Sequence, residues 1–203
     1  MAKIALIGAS GNVGKRILAE LTRRGHLVTA IARHGNGISA SGSVAIVTAD
    51  VTAPDLERTL VGHDAVISSL RFSTAGISRF VPPIKKAGVD RYLVVGGAGS
   101  LEISPGVRLL DAPNFPGEYR AEASAAADFL EALRGEADLR WSYLSPSLEI
   151  CPGERTSRFR LGEDRLLSDA SGRSWITYED FAVALVDELE TPKHERRRFT
   201  VGY

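Results

Sequence analysis

The sequence predicts an α/β protein in which a mostly parallel β-sheet is flanked by helices on both faces. Short apolar runs alternate with longer amphipathic stretches along the chain, as in successive βαβ units. The first apolar run leads directly into a glycine-rich turn and then an amphipathic stretch. At 203 residues we expect one domain, 1–203, with residues 1–144 as its core and residues 145–203 as a smaller segment beside it.

Composition excludes several classes of protein. The 25 basic and 25 acidic residues balance, so bulk charge does not favour binding to nucleic acid or to an anionic membrane. A lone cysteine, Cys151, excludes an intrachain disulfide and fits a reducing compartment. The histidines lack metal-ligand spacing, so no metal is expected. Without an apolar stretch long enough for a signal peptide or a membrane helix, we expect a cytoplasmic protein, either monomer or homodimer.

The first half of the chain is predicted to open with a strand, Lys3–Ile7, and a helix, Asn12–Arg24. Val13, Ile17 and Leu21 fall on one face of this helix, and Gly25 ends it. The elements that follow are strand Leu27–Arg33, the Gly- and Ser-rich loop His34–Gly42, strand Val44–Thr48, helix Ala53–Val61 and strand Asp64–Leu70.

The second half is predicted to be less regular. Pro82 and Pro83 lie within Gly76–Ala87, so a helix there is kinked or begins at the prolines. The remaining elements are strand Tyr92–Val95, loop Gly96–Gly117, helix Glu118–Leu133, strand Leu139–Leu144, the irregular stretch Ser145–Gly172 with possible short hairpin strands, helix Tyr178–Glu188 and strand Arg198–Val201. The loop Gly96–Gly117 is long for a compact domain, and such loops are usually functional.

The glycine-rich turn carries the strongest functional signal. Gly8, Gly11 and Gly14 are spaced three apart between the first strand and the first helix. Glycines there permit a tight turn and let backbone N–H groups approach a pyrophosphate, which the helix N-terminus also attracts. Ser10, Asn12 and Val13 complete the turn. This position favours a Rossmann fold that binds a nicotinamide dinucleotide, although the spacing differs from G-x-G-x-x-G and a turn without ligand is the alternative.

Arg33, at the end of the second strand, predicts the cofactor form. An acidic residue there would hold the ribose 2′-hydroxyl, whereas an arginine accommodates a 2′-phosphate. The sequence has Arg33 followed by His34 and no carboxylate, which favours NADP(H), with NAD(H) still possible. The alternative is an arginine that is merely solvated at a strand end.

Other candidate cofactor contacts follow the later strands. Asp50 and the Val51 amide could bind the adenine ring, or Asp50 could belong to a helix N-terminal turn. Ser69, Leu70 and Gly97 come at the carboxyl ends of the fourth and fifth strands, the edge at which open α/β sheets bind ligands.

Longer motifs make the family resemblance specific. The opening KIALIGASGNVG (3–14) resembles atypical short-chain dehydrogenases, in particular the NmrA-like branch. The further motifs are VVGGAGSL (94–101), WSYLSPS (141–147), PGERT (152–156), DELE (187–190) and FTVGY (199–203). Together they resemble a bacterial family of proposed NADH-flavin reductases, relatives of the biliverdin/flavin reductases. The resemblance implies a bound NAD(P), reduction of a flavin or similar small-molecule acceptor, and a turn at Pro146 and Ser147 that lines the nicotinamide.

One departure from the dehydrogenase pattern affects the mechanism. Alcohol-oxidising members use Tyr-x-x-x-Lys, in which the lysine lowers the tyrosine pKa. Tyr119 opens the corresponding helix here, but the fourth residue on is Ala123. Tyr119 is therefore a proton donor or only a substrate contact. The resemblance also implies a substrate-polarising role for Ser100, for which a plain loop serine is the alternative.

These observations favour an NAD(P)H-dependent reductase that positions a flavin or quinone-like acceptor for hydride transfer. Residues 1–144 would then be the cofactor-binding core, and residues 145–203 a small substrate-side lobe with the last helix and strand. Phe72, Phe115, Phe159 and Trp175 could stack on the acceptor or belong to the core. The main alternative is a non-catalytic NAD(P) sensor of the NmrA-like type. A nucleotide-sugar epimerase is less favoured because such enzymes need the Tyr/Lys pair.

Overall fold

The computed structural model describes residues 1–35, 37–51, 55–74 and 76–203. The strands are β1 (Lys3–Ile7), β2 (Leu27–Ala32), β3 (Val44–Thr48), β4 (Ala65–Ser68), β5 (Arg91–Val95), β6 (Glu102–Ser104), β7 (Val107–Arg108), β8 (Arg140–Ser145), β9 (Glu149–Cys151), β10 (Arg160–Gly162), β11 (Trp175–Thr177) and β12 (Arg197–Gly202). The α-helices are α1 (Asn12–Arg23), α2 (Leu56–Leu60), α3 (Val81–Lys86), α4 (Gly117–Arg134) and α5 (Tyr178–Glu190).

Eight of the described strands form one sheet in the order β10-β12-β8-β5-β4-β1-β2-β3. All neighbours pair in parallel except β10, which runs antiparallel to β12 at one edge. The strand order reverses between β1 and β4, where a crevice opens at the carboxyl ends of the strands. The predicted Rossmann fold, with its mostly parallel sheet, is confirmed.

Alternation along the strands divides the core between the two faces of the sheet. Ile4 and Leu6 of β1 pack with α1 and α5, whereas Ala5 and Ile7 of the same strand pack with α2, α3 and α4. Both faces are therefore covered, which is why the strands read as nearly continuous apolar runs. After the irregular segment the chain returns to this central architecture, since α5 packs on one face of the sheet and β12 pairs with β8 inside it.

Several sequence-based expectations change in detail. The second strand ends at Ala32, so Arg33 is the first residue beyond it. Helix α3 begins at the prolines, one of the two predicted outcomes, because proline is tolerated in a first turn. The predicted helix Ala53–Val61 begins outside the described residues, and α2 covers its later part.

The two predicted irregular stretches contain more regular structure than expected. The loop Gly96–Gly117 includes the antiparallel hairpin β6–β7. Strands β9 and β10 form no hairpin with each other, since β9 pairs in parallel with β11, and β10 pairs with β12. Across the described ranges, none of the helices combines the length and apolar character needed to cross a membrane.

Candidate functional site

The glycine turn places its three glycines in three different environments. Gly8 has a φ of +82°, and a Cβ there would lie 2.1 Å from the Ser69 carbonyl oxygen. A Cβ at Gly14 would lie 2.1 Å from the Gly8 carbonyl oxygen. Gly11 has a φ of −70°, and its nearest neighbour would be 3.4 Å away. Gly8 and Gly14 therefore allow β1, α1 and the loop after β4 to meet, whereas Gly11 leaves open space above the turn.

The N-terminus of α1 has the character of an anion site. Its N-cap is Gly11, which offers no side-chain acceptor, and the first turn contains no acidic residue. The first N–H groups of a helix have no intrahelical acceptor and carry partial positive charge. Asn12 and Val13, in this first turn, line the cleft described below. Phosphate oxygens fit these donors.

Two adjoining cavities form the cleft at the carboxyl ends of the strands. The first, here called the β2 cavity, has a volume of about 360 Å³ and the second, the α4 cavity, about 640 Å³. Gly11, Ser69, Leu70 and Arg71 line both. The two cavities therefore meet directly over the glycine turn and form one continuous cleft.

The β2 cavity brings together most of the predicted cofactor residues. Its lining includes Gly8, Ser10, Gly11, Arg33, Asp50, Val51, Ser69 and Leu70. Ile31 and Ala49 add apolar walls, and His34 follows Arg33. An apolar slot with a cation at its rim and the glycine turn at its inner end fits the adenosine and 2′-position of a dinucleotide.

The α4 cavity is mostly apolar and aromatic. It contains the predicted residues Asn12, Val13, Gly97 and Tyr119, and also Phe72 and Phe115 from the set of possible stacking residues. Sequence reasoning missed many of the other walls, among them Leu109, Pro116, Leu148, Ile150 and Tyr178. Most of these come from irregular stretches or short strands whose position depends on long-range pairing, so no local signal marked them.

Helix α4 orients the loop that follows β4. The Glu122 carboxylate accepts hydrogen bonds from the backbone N–H groups of Phe72, at 2.7 Å, and Ser73, at 3.0 Å. The Phe72 ring packs edge-on against Phe129, with ring centroids 5.0 Å apart. This loop is thereby held in place with Arg71 at the junction of the two cavities.

Small residues let α4 lie directly against the turn after β5. A Cβ at Gly99 would come within 2.7 Å of the Ala123 Cβ, and one at Gly97 within 3.1 Å of the Ala126 Cβ. The Gly97 N–H donates to the Tyr143 hydroxyl, which donates to the Ala126 carbonyl. Burial raises the pKa of Tyr143, so this phenol stays neutral and structural.

Four predicted site residues do not line the cleft. Gly14 lies beneath the turn, as described above. The Ser100 hydroxyl accepts a hydrogen bond from the buried Arg198, at 3.0 Å, and is directed to β12. Ser147 is buried and its hydroxyl donates to the Val201 carbonyl, while Pro146 contributes to neither cavity. The side chains of Ser100 and Ser147 therefore bind β12 in this structure, and the roles expected for Ser100 at the substrate and for Pro146 and Ser147 at the nicotinamide stay predictions.

The two remaining stacking candidates also lie elsewhere. Phe159 packs against the core on the α1 and α5 face of the sheet. Trp175 contacts Tyr203, with ring centroids 4.4 Å apart. Neither residue lines the β2 or the α4 cavity.

Comparison with known proteins agrees with this geometry. A protein of Bacillus subtilis called YwnB, itself uncharacterized, is 39% identical over 98% of this chain and 97% of its own length. The crystal structure of a proposed epimerase from Bacteroides thetaiotaomicron matches with a TM-score of 0.95 and 42% identity, covering 100% of this chain and 97% of that one. A proposed NADH-flavin reductase from Streptococcus pneumoniae matches with a TM-score of 0.88 and 36% identity, covering 100% of this chain and 99% of that one.

The family model described as NAD(P)H-binding matches residues 8–192, which include every residue lining the two cavities except Ile7. The family-level resemblance seen in the motifs is therefore confirmed. The structure has an open glycine at the N-terminus of α1, without a side-chain cap, and a continuous cleft at the strand ends, as such a family requires. Because the family model matches most of its length, this chain belongs to the NAD(P)H-binding family of Rossmann-fold proteins.

Proposed function

We propose that the protein is an NAD(P)H-dependent reductase that delivers a hydride to a flavin or quinone-like acceptor held in the α4 cavity. The observation that carries this proposal is the apolar, aromatic lining of that cavity, which is continuous with the dinucleotide end of the cleft. Bound NAD(P)H would supply the hydride, and the acceptor would take one further proton from water, giving NAD(P)⁺ and the two-electron-reduced acceptor.

The residues of the cleft support catalysis by positioning. None of the described residues that line the α4 cavity is a histidine, lysine or cysteine. Tyr119 is 63% exposed, and the position four residues on is Ala123. Aromatic and aliphatic walls such as Phe115, Ile150 and Tyr178 can instead align a planar ring and exclude water around it. The epimerase activity suggested by the name of the Bacteroides relative would need a Tyr-x-x-x-Lys pair. This chain has Tyr119 but Ala123 where the lysine would be.

Arg33 supports NADP(H) as the preferred cofactor. It is exposed, lines the β2 cavity and follows Ala32, with no carboxylate at the end of β2. A guanidinium in this place would hold a 2′-phosphate with charge-assisted hydrogen bonds. The α1 N-terminus and the open face of Gly11 would hold the pyrophosphate.

The test is an acceptor screen with both cofactors. Purified protein is mixed with NADPH or NADH and with menadione, riboflavin, FMN or an aldehyde, and oxidation of the reduced nicotinamide is followed by absorbance. We expect turnover with the planar acceptors, slow or no turnover with the aldehyde, and a lower KM for NADPH than for NADH. Tight NADPH binding without oxidation by any acceptor would contradict the proposal and support the non-catalytic sensor instead.

A further inference from the structure

We propose that Arg71 binds the pyrophosphate that NADPH and NADH share, together with the N-terminus of α1. This inference rests on the dinucleotide site proposed above and adds to it a residue that the glycine motif does not contain. Three observations carry it: the place of Arg71 in the cleft, the absence of a partner for its guanidinium, and the way in which its loop is held.

Arg71 lies where the two cavities meet. It lines both of them, as do Gly11, Ser69 and Leu70. Gly11 is the N-cap of α1, and the first N–H groups of a helix attract a phosphate. In a dinucleotide the pyrophosphate joins the adenosine half to the nicotinamide half, so the junction of the two cavities is where it would lie. Arg71 shares this junction with the helix N-terminus.

The guanidinium of Arg71 is available to a ligand. Within the part of the chain that the structure describes, it makes no hydrogen bond or ion pair, and the residue is exposed. Other arginines nearby differ in this respect or in position. Arg16 pairs with Glu179 at 3.0 Å, and Arg120 keeps its charge but lines neither cavity. An unpaired guanidinium presents a planar fork of donors that matches two phosphate oxygens.

The loop that carries Arg71 is held before any ligand binds. The next two N–H groups along the chain, those of Phe72 and Ser73, donate to the Glu122 carboxylate at 2.7 and 3.0 Å. The Phe72 ring also packs against Phe129. A binding residue on a fixed backbone loses less conformational freedom when the ligand arrives, so more of its interaction energy is retained as affinity.

The two arginines that line the cleft therefore have separate tasks. Arg33 follows β2 and lines the β2 cavity but not the α4 cavity, whereas Arg71 lines both. The 2′-phosphate is present in NADPH and absent from NADH, while both cofactors carry the pyrophosphate. Loss of Arg33 should therefore affect one cofactor, and loss of Arg71 should affect both.

The test measures binding of NADPH and NADH to Arg71→Ala by titration calorimetry. We expect both Kd values to rise about tenfold, because each cofactor loses the same charge-assisted contact. Arg71→Lys keeps the charge but not the planar fork, so its Kd values should rise about threefold. Arg79→Ala is the matched control, since Arg79 is exposed, lies in the same segment between β4 and α3, and lines neither cavity. It should change neither Kd.

Fragments of the cofactor locate the contact without turnover. ADP carries the diphosphate, and 2′-AMP carries only the 2′-phosphate; each is titrated as a competitor that displaces fluorescent NADPH. Arg71→Ala should weaken ADP about tenfold and leave 2′-AMP unchanged. A loss confined to NADPH and 2′-AMP would place Arg71 at the 2′-phosphate and overturn the inference.

The Gly11→Val variant separates this inference from the proposed site. If Gly11→Val binds neither dinucleotide while Arg71→Ala binds both as the wild type does, the inference is overturned and the proposed site stands. A wild-type protein that binds neither dinucleotide would overturn both. Equal losses for NADPH and NADH in Arg71→Ala support the inference even if no acceptor is reduced, in which case the reductase function alone fails.

Discussion

At the scale of single residues, the three glycines of the first turn show that one motif can serve two physical purposes. Gly8 and Gly14 are required by close backbone packing, since a Cβ at either position would overlap a carbonyl oxygen. Gly11 has an ordinary φ and room for a side chain, yet it lines both cavities. Substitution at Gly11 therefore separates ligand binding from folding, which substitution at the other two cannot do.

Gly11→Val is expected to abolish dinucleotide binding while the fold is retained. The isopropyl group would fill the space that the pyrophosphate needs, and the φ of −70° accepts a side chain without strain. NADPH binding is measured by titration calorimetry, and folding by circular dichroism and thermal unfolding. A folded variant with near wild-type affinity would mean that the pyrophosphate lies elsewhere.

Arg33→Ala is expected to weaken NADPH binding about tenfold or more and to leave NADH binding nearly unchanged. The reason is the loss of a charge-assisted contact worth about 1.5–3 kcal/mol, which only the 2′-phosphate makes. Titration calorimetry with both cofactors distinguishes this effect from general damage. Equal losses for NADPH and NADH would contradict the assigned role of Arg33.

Tyr119→Phe is expected to reduce turnover of a planar acceptor by less than about fivefold. The ring remains as a wall of the cavity, and Ala123 supplies no cation that would activate the hydroxyl. General acid catalysis is typically worth about 10²–10⁴-fold, so a loss of that size would identify Tyr119 as the proton donor. Rates are measured at saturating NADPH across pH, which keeps cofactor affinity out of the comparison.

At the scale of elements, the site depends on contacts between segments that are far apart in sequence. Helix α4 holds the loop after β4 through Glu122, and this loop brings Arg71 to both cavities. Two hydrogen bonds from consecutive N–H groups to one carboxylate fix the loop in both position and orientation. Glu122 is thus a positioning residue that acts through the backbone of Phe72 and Ser73.

Glu122→Gln is expected to raise the KM for NADPH and for the acceptor about three- to tenfold, because the amide can accept only through its single oxygen and its NH₂ faces a second donor. The value of kcat should fall less, because the nicotinamide and acceptor rings would also contact cavity residues that Glu122 does not hold. Asp128→Asn, an exposed change on the same helix, is the control. A fall in kcat with both KM values unchanged would contradict a positioning role and indicate direct participation in the chemistry.

The sequence predicted the elements that local patterns define and missed those that long-range pairing defines. Alternating apolar runs located β1 to β5 and the main helices to within a few residues. The β9–β11 pair was not visible, because Ile150 and Ile176 become neighbours only through the parallel register. The family resemblance suggested a substrate-polarising role for Ser100, and no local pattern showed that its hydroxyl accepts a hydrogen bond from Arg198, 98 residues away. The glycine turn could be located from the sequence because Gly8, Gly11 and Gly14 follow β1 directly and lie next to one another in space, and their role in cofactor binding stays a prediction.

At the scale of the whole molecule, buried carboxylates join the cofactor-binding part of the chain to its last third. Glu20 of α1 is 4% exposed and accepts hydrogen bonds from Arg23, Arg24 and Arg155, the last of them 135 residues away. Burial alone would raise the pKa of Glu20, but the three arginines outweigh burial and hold this pKa far below its ordinary value of 4.5. The segment that contains Arg155 is thereby fixed to the helix that follows the glycine turn.

Acid is therefore expected to destabilise the protein by protonating such carboxylates. Because the folded-state pKa of Glu20 lies below the unfolded value, its contribution is fully present above about pH 5 and is lost as the pH falls below about 4.5. Thermal unfolding measured from pH 7 to pH 3 should show a steep fall in Tm below about pH 4.5. Glu20→Gln should lower the free energy of unfolding at pH 7 by about 1–3 kcal/mol and flatten this acid dependence. An unchanged acid slope in the variant would show that Glu20 does not contribute to it.

The continuity of the two cavities has a consequence for inhibitor design. Since Gly11, Ser69, Leu70 and Arg71 border both, no partition separates the dinucleotide end from the acceptor end. A single molecule that links a planar ring to an adenosine phosphate could occupy both at once. Such a bisubstrate compound loses its translational freedom only once, so it should bind more tightly than either half and compete with both NADPH and the acceptor.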